Sequence, residues 1–192
     1  MKGMYLASTE QANDLLERDP LALLIGMLLD QQIPMEKAFT SPDVLRERLG
    51  GALDARTIAA YDADELEAIF RKPPALHRFP AAMAKRVQTL AQLVVERYDG
   101  DARQVWDGAR SGSELVQRVA ALPGFGEQKA QIFAALLGKQ LKVRPRGWRE
   151  AAGQFGEDGT HRSVADVVDA DSLQAVRAYK QQMKAAAKAG KS

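Results

Sequence analysis

The sequence predicts an all-α protein, and three of its features carry that prediction. Apolar residues recur at the helical period in segment after segment, while no run holds the two-residue alternation of a strand. Ala, Leu and Arg are plentiful and aromatics make up only 6%, a composition suited to helix-on-helix contact. Helix signals punctuate the chain throughout: a capping Asp or Ser before a proline, a Gly or Gly-Gly after the last apolar turn.

A short first helix is expected over 8–18. Asp19-Pro20 opens a strong second one, with Asp19 as N-cap and Pro20 at the first helical position. Residues 21–29 are apolar nearly all round, which marks this helix as the central buried one. It ends in Asp30-Gln31-Gln32-Ile33-Pro34, so polar groups stand at the edge of the core. Ser41-Pro42 repeats the cap-plus-proline pattern and predicts a fresh helix start, stopped by Gly50-Gly51. Asp54 opens a short helix, and Asp62 with Glu65 predicts a capping box before 66–70.

Arg71-Lys72-Pro73-Pro74 reads as a loop. A long helix follows over 81–98, with Met83, Val87, Leu90, Val94 and Val95 inward, and Val105 and Trp106 begin a short one. Ser111 caps the next helix, with Glu114 three residues on. Past Gly138, residues 139–149 bring five basic side chains and Trp148, which reads as an anchor for the loop. Residues 153–161 are polar and glycine-rich, the pattern of a surface loop. Asp171 is expected to cap a last helix to about residue 187, with a basic tail over 184–192 that frays.

The chain is organised around residues 113–133. Leu115, Val119 and Leu122 space one helical stripe; Ala130, Phe133, Ala134 and Leu137 space another. Between them Pro123 closes the first helix, and Gly124 and Gly126 permit a tight elbow that another molecule's backbone can approach. Amides of the elbow and of the following first turn then point outward together. That is a phosphate site, strengthened by the positive end of the helix dipole, with Lys129 placed to add a charge.

Formal charge is only +2, so any affinity for a polyanion is local rather than global. The chain has no cysteine, which excludes disulfides, thiol catalysis and Cys-ligated zinc. Its two histidines, His77 and His161, are far apart, so no metal site is expected. The longest apolar run, 21–29, is too short to span a bilayer, and no signal peptide opens the chain. A cytoplasmic monomer without a membrane partner is the expectation, associated with the nucleoid if the source is a bacterium.

Leu122-Pro123-Gly124-Phe125-Gly126-x-x-Lys129-Ala130 resembles the helix-hairpin-helix signature of the HhH-GPD superfamily of base-excision DNA glycosylases. An apolar helix ending in Gln31-Gln32, ahead of the hairpin, is similar to the helix those proteins place beside the DNA cleft. The resemblance covers roughly residues 20–150. It implies two helical lobes around a helix-hairpin-helix: a lobe over 20–138 with the hairpin at 113–138, and a second from 1–19 plus 139–192, in a single unit over 1–192. It implies double-stranded DNA, with or without a damaged base, as partner. Gly124, Phe125, Gly126, Lys129, Arg144 and Arg146 are then the DNA-binding candidates, and Gln31 and Gln32 the edge of a base pocket. An iron–sulfur cluster of the kind some members carry is excluded by the missing cysteines, so no cofactor is expected.

The chemistry is less complete than the grip. Members of the superfamily carry an Asp shortly after the second hairpin helix, which stabilises charge on the sugar or helps activate the nucleophile. Aligned from the hairpin, that place falls on Val143-Arg144-Pro145-Arg146, where no carboxylate stands. The nucleophilic lysine of the bifunctional members aligns with Gln128, one residue and about 100° from Lys129, so lyase chemistry is disfavoured. Asp30 is the candidate stand-in carboxylate. The chain also resembles the cysteine-free HhH-GPD-type proteins grouped with base-excision repair, in which the same Asp is missing. Three readings follow: a monofunctional glycosylase acting on an N-glycosidic bond, a catalytically silent DNA-binding or damage-sensing module, and a helical scaffold for protein partners.

Overall fold

In the computed structural model, which describes residues 3–191, the apolar helix α2 (Pro20–Leu29) is buried along 21–29. Residues 1, 2 and 192 of the two-lobe expectation lie outside the described range. Asp19 caps α2 by accepting from the amides of Leu21 and Ala22. Two helices pack on it, α1 (Glu10–Arg18) and α3 (Met35–Arg48). Gly26 sets the approach of α3, because a Cβ there would stand 2.6 Å from Cδ1 of Phe39. Thr9 caps α1, so the helix starts two residues later than the expected residue 8.

The fresh helix start expected at Ser41-Pro42 does not occur. α3 runs unbroken through Pro42. A mid-helix proline removes one ladder hydrogen bond and costs about 3 kcal/mol, and burial of Ala38, Phe39 and Leu45 offsets it. Ser41 is buried too, and its hydroxyl is bonded to the carbonyls of Lys37 and Leu76 instead of capping a new helix.

A second group of helices, α4 (Ala55–Ala59) and α5 (Ala63–Arg71), lies along the long α6 (Pro80–Tyr98). Asp54 and Asp62 cap the two short helices, Asp62 by accepting from the amide of Glu65, but the Glu65 side chain makes no return bond, so the expected capping box is only half formed. On α6, Met83, Val87, Leu90 and Val94 are buried and Val95 is partly so. Arg48 holds the turn after α5 by donating to the carbonyls of Ile69, Lys72 and Pro74. Loop carbonyls that water would otherwise serve are thereby fixed to α3.

After α7 (Gln104–Asp107), the hairpin helices α8 (Gly112–Ala120) and α9 (Glu127–Gln140) pair with each other. Short α10 (Trp148–Ala151) crosses both. Residues 153–161 are less open than their composition suggests: Gly153–Gly156 forms a 3-10 turn that buries Phe155. Lys139 at the end of α9 pairs with Asp166 at 2.6 Å and holds the segment down. The last helix, α11 (Ala170–Ala189), is capped by Asp169 in a capping box with Ser172, two residues ahead of the expected Asp171. It stays helical to Ala189, through the tail expected to fray. Helix accounts for 66% of the described residues and no strand forms among them, so the fold is all-α.

Candidate nucleic-acid interface

α8 is closed by its C-cap Ala121, and the chain turns on a left-handed Gly124 with φ +80°. Leu122 and Phe125 plug the inside of this turn, both buried. Phe125 stands edge-on to Phe133, which stands edge-on to Trp106. Anchored from below by this aromatic row, the elbow leaves Gly124 and Gly126 exposed. A Cβ on Gly126 would meet nothing within 4 Å. Gly126 is the N-cap of α9 and offers no side chain, so the first amides of a 14-residue helix have no side-chain acceptor. Open amides at the positive end of a dipole, on an uncrowded surface, have the geometry to receive an anion.

Against this elbow packs the end of α2. The position a Cβ of Gly124 would occupy lies 3.4 Å from Cγ of Leu28. Five consecutive carbonyls at that end are served by side chains, most of them remote in sequence. Lys129 Nζ donates to Met27 O at 2.8 Å, with Leu28 O and Asp30 O each at 3.4 Å. Gln31 Nε2 donates to Leu28 O at 2.8 Å, and Arg86 donates to Gln31 Oε1 at 3.1 Å. His77 Nε2 lies 3.1 Å from Leu29 O and 2.9 Å from Gln31 O, while its Nδ1 accepts from the amide of Phe79. Those partners assign the neutral Nε2–H tautomer, and burial holds the imidazole pKa below its ordinary value.

Lys129 therefore differs from its expected role. Its ammonium turns inward onto the negative end of α2 instead of outward to a phosphate. Lys129→Met is expected to lower stability by about 1–3 kcal/mol through loss of its charge-assisted bonds to these carbonyls, read by chemical denaturation.

Asp30 sits half-buried where this end of α2 meets Lys129 and Lys180 of α11. Desolvation raises its pKa, with Lys180 and Lys129 opposing the rise. Lys129 is shifted down, again by desolvation first. Each shift runs opposite to what a simple ion pair produces, so burial outweighs their mutual attraction. Beside it Gln32 is exposed in a left-handed conformation, φ +57°. A non-glycine residue held there stores strain of the kind that clusters at functional sites.

Not every expected site residue joins this cluster. Phe125 faces the core. Arg144 and Arg146 lie at the opposite end of the hairpin helices. Arg144 Nε donates to the carbonyl of Gly138, eleven residues and about 17 Å along α9 from Glu127. Arg146 O accepts from the amide of Gly112 at the start of α8. A short separation in sequence was the reason to place them at the elbow, but α9 carries the chain away from it. Trp148 is the buried anchor expected of it. Arg86 and His77 complete the cluster and were invisible in the sequence, because nothing local ties residues 77–86 to residues 27–31.

No group of three His, Asp or Glu side chains stands together as metal ligands among the described residues, and the chain lacks the cysteines of a cysteine-ligated cluster. No described helix is long and apolar enough to cross a membrane. No curated protein matches the chain. A family model does: HhH-GPD superfamily base excision DNA repair protein, over residues 25–191, a span that includes the end of α2, the elbow and α11. With the all-α fold and the exposed glycine elbow in place, the chain belongs to the HhH-GPD superfamily of base excision DNA repair proteins.

Proposed function

We propose that the protein binds duplex DNA by its elbow, with the exposed amides at the start of α9 on a backbone phosphate, and presents Asp30 to a base drawn out of the stack. The carrying observation is the open, side-chain-free N-terminus of α9 set against the end of α2 that bears Asp30, Gln31 and Gln32. Phosphate contacts of this kind fix position without reading sequence, and an enzyme working on a base must extrude it. In a monofunctional reaction, ionised Asp30 would orient water and stabilise positive charge developing on the sugar. Lys129 does not serve as a nucleophile, because its ammonium is engaged by α2 carbonyls.

A second reading, a catalytically silent damage-binding module, is favoured by one observation. Val143-Arg144-Pro145-Arg146 holds no carboxylate, and Arg144 is committed to Gly138.

A panel of damaged duplexes screened for abasic sites separates the two. Cleavage of one lesion, abolished in Asp30→Asn, is the expected result; no cleavage of any lesion at high protein concentration establishes the silent module. Should there be cleavage, its rate is expected to rise with pH through a pKa above the ordinary aspartate range, because burial delays ionisation of Asp30. The same shift fixes the stability control. A carboxyl whose pKa is raised on folding contributes stability below its unfolded pKa and loses it as pH rises through the folded value. At neutral pH Asp30→Asn is therefore expected to be at least as stable as wild type, so lost activity would not mean lost fold. A borohydride-trapped covalent complex would contradict the monofunctional assignment.

A further inference from the structure

The elbow has few cations of its own: Lys129 is turned inward, Arg86 is exposed beside Gly124 with its guanidinium on Gln31, and Glu127 places a carboxylate in the first turn of α9. The end of the chain has what the elbow lacks. Residues 172–192 carry five cations and no carboxylate, so the rest of the protein has a net charge of −3 against +2 for the whole. On α11, Arg177, Lys180, Lys184 and Lys188 are spaced by three, four and four residues, within an arc of about 80°. Leu173, which anchors α11 on the core, lies in the same arc. The face that packs on the protein thus becomes cationic as the helix leaves it.

Two contacts locate that departure. Arg177 pairs with Glu36 of α3, and Lys180 lies within electrostatic reach of Asp30 and Lys129. The stripe therefore starts beside the end of α2. Every described residue from Lys180 onward is exposed, and Lys184, Lys188 and Lys191 have no ion-pair partner among the described residues. Isolated helices of this length are marginal in water and gain from a partner.

We propose that the cationic face of α11 is a second DNA-backbone contact, an arm that lies along phosphates flanking the one held by the elbow. The proposal rests on the elbow being a DNA grip. From Lys180 to Ala189 the helix is about 15 Å long, the span of about four phosphates on one strand. A membrane surface fits less well, because beyond Lys180 the other faces are Gln and Ala with Met183 as the single large apolar residue, leaving no face to insert among acyl chains.

The test compares the full chain with Lys184→Ala/Lys188→Ala/Lys191→Ala, a change that preserves helix propensity, and with Gly126→Val. Duplex affinity is read by fluorescence anisotropy across a salt series. The arm variant is expected to bind more weakly, with unchanged circular dichroism. Its slope of log affinity on log salt is expected to be shallower by about 2–3, at about 0.9 for each phosphate that the arm no longer neutralises. Unchanged affinity and slope in the arm variant, with binding weakened in Gly126→Val, would overturn the arm and leave the elbow reading standing. Weaker binding in the arm variant alone would support the arm and refute the elbow. A wild type that binds no duplex overturns both. Loss of binding to phosphatidylserine-containing vesicles, with duplex binding intact, would assign the stripe to a membrane surface and overturn the proposal.

Discussion

Gly138→Ala is expected to destabilise the protein by about 2–3 kcal/mol, against the roughly 1 kcal/mol that alanine ordinarily gains over glycine inside a helix. The added Cβ would stand 2.4 Å from Cε3 and Cζ3 of Trp148. Relaxation is blocked from behind, because the chain at Gly147 and Trp148 is wedged against α8. A Cβ on Gly112 would stand 2.5 Å from both Gly147 O and Trp148 Cα. Arg149 covers the indole with its guanidinium 4.5 Å from the ring centroid, and Arg144 lies 5.9 Å from it. Trp148→Ala alone is expected to cost about 3–5 kcal/mol. In that background Gly138→Ala should become neutral or stabilising, a strong departure from additivity. Denaturant midpoints of the four proteins in the cycle provide the check, and additive effects would mean that the ring is free to move. The same joint has a functional consequence: it holds residues 144–149 at the far end of the hairpin from the elbow.

Asp19-Pro20 and Ser41-Pro42 show how far local pattern reaches. Both read as cap plus proline, and only the first starts a helix. The difference is tertiary. Asp19 has free amides to accept from, whereas the Ser41 hydroxyl is drawn to a carbonyl from residue 76, across 35 positions of sequence. Asp171 yields to Asp169 for a local reason instead, the reciprocal bond with Ser172. At the site, the elbow was legible because glycine conformation and helix phase are properties of neighbouring residues. Lys129 was legible as a cation near a helix start but not in its direction, since its target is the end of a helix about 100 residues earlier. Arg86 and His77 left no local mark at all. Long-range capping of α2 decides the geometry around Asp30, and no spacing rule encodes it.

Gly126→Val is expected to weaken duplex binding by about ten- to a hundredfold while costing no more than about 1 kcal/mol of stability, the preference of the N-cap for glycine over valine. Gly126 has φ −90° and ψ −179°, an extended conformation that valine adopts readily, and nothing lies within 4 Å of the added Cβ. The folded protein therefore has little reason to resist the change. A phosphate does, because the branched side chain would stand over amides that must approach an oxygen to within hydrogen-bond distance. Charge-assisted hydrogen bonds of about 1.5–3 kcal/mol are what the obstruction would remove. Gly124→Val is a poorer probe. Its φ of +80° is strained for valine, so weaker binding there would mix local misfolding with obstruction of the anion site. Gly126→Val thus isolates the anion site from the fold that carries it. Wild-type affinity in that variant, at matched salt and with an unchanged denaturation midpoint, would remove the start of α9 from the interface.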